Sequence, residues 1–127
     1  PAEAEEERII EATTSGVKPT VQRVLGGPEI LAMQDLVLRV PAAGYVIRYA
    51  ARLTRATRPT PAPGEAGPPV PDFVKKYVSW GAGPRAGQSL ILAAKARALL
   101  HGRTHVATED VRAVALPVLR HRVMVNY

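Results

Sequence analysis

The stretch SWGAGPRAGQSLILAAKARALL, Ser79 to Leu100, decides how this chain is read. Gly81-Ala82-Gly83 is turn material, and Pro84 suits the first turn of a helix, where its missing N–H is no loss. From Arg85 onward runs the longest helix-forming segment of the sequence, rich in Ala and Leu. At 3.6 residues per turn, Leu90, Ile91, Ala94 and Ala98 share one arc, and Leu92, Ala96 and Leu99 lie opposite. Apolar residues nearly all round predict a central helix with neighbours on several sides. Gly102 is placed to end it in the left-handed conformation. Arg85 stands at the N-terminus, where the helix dipole disfavours a cation by about 0.3–1 kcal/mol. A solvated surface arginine and a side chain awaiting an external anion both remain open.

Working outward, the residues on either side read as further helices. Glu3 to Thr14 carries Glu3, Glu5, Glu6 and Glu7 in its first turns, which complements the dipole. Thr20 to Leu25 is extended or a short strand, centred on Val21 and Val24. Pro28 to about Leu38 places Ile30, Met33 and Val37 three and four apart, the spacing of a buried stripe. Pro41 ends that segment and makes Val40 extended. Ala42 to about Thr57 buries Val46, Ala50 and Leu53, with Ile47 and Thr54 beside them. Its Arg48, Arg52 and Arg55 read as a solvated face.

Residues 58–71 hold PTPAPGEAGPPVP, with six prolines and two glycines, which predicts a surface loop. Asp72 is placed to cap a short helix over Phe73–Val78. Phe73 and Trp80, the only Phe and Trp, are expected with Tyr77 as core anchors, a ligand-stacking role being the alternative. Beyond the central helix, Val106 is extended and Thr108 is placed to cap a last helix. Val111, Val114, Ala115 and Val118 form its buried stripe, Pro117 falls late in it, and Val123–Val125 is a short strand or extended tail. The expected fold is therefore all-α, a small helical bundle with at most short extended pieces near Val21–Val24, Val40, Val106 and Val123–Val125. Residues 1–127 are expected to form one domain.

Composition bounds the function. The 127 residues are 46% hydrophobic but only 5% aromatic, so the core is aliphatic. Cysteine is absent, which removes disulfides and thiolate metal sites. No apolar run approaches the ~18 residues of a membrane span, and the acidic start is no signal peptide. These features predict a cytoplasmic location. The net charge of +6 suits a nucleic-acid or phosphate partner. The basic residues are scattered, however, and form no stripe, which disfavours nucleic acid. His101 and His105 are separated by the helix-ending Gly102, so a two-histidine metal face is not expected. No GxSxG, GxxxxGK[ST] or GxGxxG pattern occurs. Glu109-Asp110 reads as a helix start, not a catalytic carboxylate pair.

The sequence resembles a known family across nearly its whole length. Trp80-Gly81-Ala82-Gly83-Pro84-Arg85-Ala86 is similar to the W-G-A-S-P-R-A segment in the C-terminal lid of MoxR-type AAA+ ATPases. Gly102-Arg103-Thr104-His105-Val106 with Asp110-Val111, and Leu119-Arg120-His121-Arg122, fit the same pattern, as do Val40-Pro41 and Leu53 to Pro59. The departure is Gly83, where serine is usual. The resemblance implies a helical lid closing over ATP held by an α/β core absent from this chain. It implies that Arg85 senses the nucleotide phosphates, with Pro84 and Gly83 as its positioning turn. ATP and Mg²⁺ would serve the full-length protein, and none would be bound tightly here. The partners would be the protein's own N-terminal core, neighbouring subunits of a hexameric ring, and a client protein remodelled or activated in a chaperone-like way. The start at Pro1 fits a fragment. The alternative is a stand-alone basic helical domain, binding nucleic acid through Arg48, Arg52 and Arg55 or serving as a protein adaptor.

Overall fold

The computed structural model describes residues 1–16, 18, 20–61 and 69–126. Its order is α1 (Glu3–Thr14), α2 (Gly27–Arg39), α3 (Gly44–Ala56), α4 (Asp72–Tyr77), β1 (Val78–Trp80), α5 (Pro84–Leu100), α6 (Thr108–Leu119) and β2 (Met124–Val125). The architecture is helical, as the sequence predicts, with a single two-stranded sheet among the described residues. The chain divides into two compact units, Pro1–Ile30 and Leu31–Tyr127.

In the first unit, α1 has the predicted bounds and acidic first turn, and buries no residue. Thr13 and Thr14 turn their hydroxyls back onto the carbonyls of Ile9 and Ile10, closing the last turn. The segment around Val21–Val24 forms no strand. The side chain of Glu29 accepts the N–H of Gly26 and so caps the start of α2.

The second unit holds the core. Val40, Val46, Ala50, Leu90, Ala94, Val106 and Val111 form one buried cluster, drawn from α3, α5, α6 and the loops before them. Leu53, Ile91, Val114 and Val118 pack against its margin. Ala50 of α3 and Ala86, Ala94 and Ala98 of α5 are buried, small side chains that leave room for close helix approach. The extended residues at 40–42 and 106 meet, with Ala42 and Val106 in a parallel bridge and the Val106 N–H on the Pro41 carbonyl at 3.1 Å.

The C-terminus of α5 is a Schellman motif. Gly102 takes φ +67°, the N–H of Arg103 reaches the Ala98 carbonyl at 2.9 Å, and the N–H of Gly102 reaches Leu99 at 2.9 Å. β1 and β2 pair antiparallel, Val78 with Val125 and Trp80 with Met124, with an irregularity between Val78 and Trp80.

Several expectations need correction. Phe73, Tyr77 and Trp80 are not core anchors: Phe73 is 66% and Trp80 69% exposed, and the buried residue of α4 is Val74. Trp80 ends β1, whose partner β2 has two residues and is too short to cover a large ring, so the apolar surface stays outward. The α2 stripe is likewise open, with Met33 51% exposed and no residue of α2 buried. Leu92 faces solvent, so α5 is covered on fewer sides than its composition suggests. Asp72 lies inside α4 and pairs with Lys75, the cap position falling to Pro71. Thr108 is the first helical residue of α6 and not its cap. Residues 62–68 of the predicted surface loop lie outside the described residues.

Candidate phosphate-sensing site at the start of α5

The site is built from the turn that launches α5. Gly83 is extended at the cap position, Pro84 occupies the first turn, and the N–H of Ala86 bonds the Gly83 carbonyl at 3.0 Å. Ala86 is buried, which fixes the inner side of this turn against the unit. Arg85 is then exposed, and among the described residues it has no hydrogen-bond or ion-pair partner. The three predicted residues thus sit together as one helix entry, with the cation uncompensated at the positive end of the dipole.

Two residues that the sequence reading did not single out hold this turn. Thr57 follows α3, and its hydroxyl donates to the Thr54 carbonyl at 2.7 Å while accepting the N–H of Ala82 at 2.9 Å. The Nε of Arg58 donates to the carbonyl of Ala82 at 3.0 Å. Ala82 is buried, and both of its peptide groups are thereby satisfied from one dipeptide. Gly81 completes the grip. A Cβ there would lie 2.6 Å from the Thr57 carbonyl oxygen and 2.6 Å from Arg58 Cα, so only glycine permits this approach.

Beside the turn, α3 and α5 border an open, mainly apolar groove of about 740 Å³. Ile47, Ala51 and Thr54 form one wall, Gly87, Ile91 and Leu92 the other, with Arg58 and Lys95 on its margin. The Lys95 ammonium donates to the Leu38 carbonyl at 2.9 Å.

The far end of α5 is held by charge. Asp110 is wholly inaccessible to solvent and accepts Arg97 at 2.6 Å and Arg103 at 2.6 Å, the second Arg103 nitrogen closing the fork. Its Oδ2 also accepts the Ala107 N–H at 3.0 Å, the carboxylate half of a capping box. The Arg103 hydrogen bonds hold the Asp110 carboxyl far below the usual carboxylate range against the desolvation that would raise it. In turn the bond to Asp110 raises the pKa of Arg103. The sequence placed Asp110 only as a helix-start acid. A signal was present: an acid at the third helical position beside Val111, following two arginines across a glycine stop. Among the described residues no three His, Asp or Glu side chains are grouped to hold a metal.

Residues 72–126 match the AAA lid domain, so the matched segment begins at α4 and includes the entire turn. The chain is 33% identical over 123 residues to the chaperone MoxR1 of Mycobacterium tuberculosis, covering 97% of this chain and 31% of that protein. It is 34% identical over 122 residues to the protein MoxR of Methylorubrum extorquens, covering 94% and 33% respectively. The crystal structure of a proposed ATPase from Cytophaga hutchinsonii superposes with a TM-score of 0.76 at 28% identity, over all of this chain and 37% of that one. Together the lid match and the MoxR relatives support a MoxR-family AAA+ ATPase lid region. The chain spans about a third of the length of the MoxR relatives it matches. The helical bundle expected from the resemblance is the observed fold.

Proposed function

We propose that this lid closes over ATP held by an α/β core and that Arg85 reads the nucleotide's phosphates. The observation that supports the reading most directly is Arg85 itself: an exposed guanidinium without a partner among the described residues, at the start of a helix with one buried face, on a turn gripped from the end of α3. A guanidinium offers a planar fork of donors that matches phosphate oxygens. A phosphate placed there would cancel the unfavourable dipole term and gain charge-assisted hydrogen bonds. Pro84 and Gly83 set the direction of the helix entry.

Mg²⁺ belongs with the core in this reading. Bound nucleotide adds an attraction between lid and core that hydrolysis and phosphate release remove. The lid angle then follows the nucleotide state, a domain-closure type of switching. In a ring of such subunits, a hexamer by family resemblance, that movement would drive chaperone-like remodelling or activation of a client in the cytoplasm. Among the described residues no helix is long and apolar enough to cross a membrane.

The test is ATP turnover by the full-length protein carrying Arg85→Ala. Loss of one charge-assisted contact predicts a fall of roughly 10- to 100-fold, from about 1.5–3 kcal/mol. Wild-type turnover in that variant would remove Arg85 from the nucleotide site. The 127-residue chain alone is expected to turn over no ATP, and turnover by it would refute the lid reading.

A further inference from the structure

We propose that Thr57 and Arg58 are positioning residues for Arg85, acting through the two peptide groups of Ala82. The inference rests on the nucleotide-sensing reading of Arg85 and deepens it. Neither side chain hydrogen-bonds to Arg85 in the structure; both hold the backbone three residues before it.

The geometry is unusually determinate for a turn. A hydroxyl has one proton, and that of Thr57 is committed to the Thr54 carbonyl at 2.7 Å. Its lone pairs are thus presented to the Ala82 N–H, which meets them at 2.9 Å. From the other side the Nε of Arg58 takes the Ala82 carbonyl at 3.0 Å. The backbone of the same two residues fills the space where a side chain at Gly81 would stand. The turn is held by donor, acceptor and steric contact together, so it has little freedom to slide along the end of α3. Ala86 is buried one residue past Arg85, which brackets the cation between two fixed points. Misplacing a group by about 1 Å can cost a catalytic contact on the order of a hundredfold. The grip is therefore placed where it controls the reach of Arg85.

A purely structural role for Thr57 and Arg58 makes a different prediction, and a double-mutant cycle in the full-length protein separates the two. The readouts are kcat and KM for ATP, with a thermal melt of each variant. Thr57→Val keeps the shape and removes both hydrogen bonds; Thr57→Ser restores them. If Thr57 acts through Arg85, Thr57→Val lowers turnover about tenfold and Thr57→Ser returns it to within about twofold of wild type. In the Arg85→Ala background, Thr57→Val then causes no further loss beyond about twofold. Losses that multiply in the double variant overturn the inference, as does wild-type turnover in Thr57→Val alongside an impaired Arg85→Ala. Normal turnover in Arg85→Ala with a loss in Thr57→Val sinks the sensor reading first and this inference with it. Should Thr57→Val not fold, Arg58→Lys enters the same cycle. It keeps the charge and loses the planar donor to Ala82, and it is held to the same non-multiplicative outcome.

Discussion

Asp110→Asn should be the most damaging single-atom-scale change in the lid. The carboxylate is fully enclosed and accepts three guanidinium hydrogen bonds and one from the backbone. An amide of the same shape carries no charge and must present NH₂ to at least one donor. It would leave two arginines, each about a third exposed, facing a neutral group. Removing one partner of a buried ion pair typically costs about 3–5 kcal/mol. A domain of this size has on the order of 6–19 kcal/mol in total, so the loss is a large share. It corresponds to a fall in Tm of roughly 10–20 °C. Circular dichroism melts of the chain and its variant at about pH 7 measure it. The pH dependence gives a second, independent check. The folded carboxyl titrates well below its unfolded value, so its contribution is fully present above about pH 5. That contribution is lost as pH falls from the unfolded pKa toward the folded one. The gap between wild type and Asp110→Asn should be constant from about pH 5 to 7 and shrink below about pH 4. A variant within about 1 kcal/mol of wild type at neutral pH, or a gap unchanged at about pH 3, would refute the reasoning.

Other changes probe the corrected parts of the fold. Gly81→Ala puts a methyl against the backbone of Thr57 and Arg58, so the turn must shift, at a cost of about 1–3 kcal/mol by urea denaturation. A Gly81→Ala variant as stable as wild type would mean the turn is not held there. Trp80→Ser, at a site 69% exposed, should move the stability of the chain by less than about 0.5 kcal/mol. A loss of about 3 kcal/mol or more would restore the core-anchor reading of this residue.

What was legible in the sequence was what is local. α1 and the start of α5 carry their own signals, acids in one first turn and Gly-Pro before the other, and both stand where those signals put them. The Schellman glycine at Gly102 is equally local. The aliphatic stripes of α3 and α6 could be read because helical periodicity fixes which residues share a face. The stripe of α2 shows the limit of that logic. Periodicity predicts that Ile30, Met33 and Val37 align, but not that anything in this chain covers them. Phe73 and Trp80 fail for the same reason, since large apolar residues are assigned to the interior by habit. The Asp110 cluster joins residues 7 and 13 apart across a turn, and the Ala82 grip joins residues 24 and 25 apart. Such contacts depend on packing, which no local pattern encodes. The family resemblance supplied Arg85, yet the residues that hold its turn emerged only from the geometry.

The two ends of α5 have a mechanical meaning when taken together. The helix has 17 residues, a rod of about 25 Å. One end is gripped at Ala82 by α3, the other is tied through Arg97 and Arg103 to α6, and β1 joins β2 beyond α6. A free lever of that length, swung by about 10° about its far end, would carry Arg85 roughly 4 Å, more than a hydrogen bond can follow. Pinned at both ends, it cannot swing alone. Any pull on Arg85 is instead borne by the α3–α5–α6 block as a whole, which makes the arginine a handle on the body and not a moving finger.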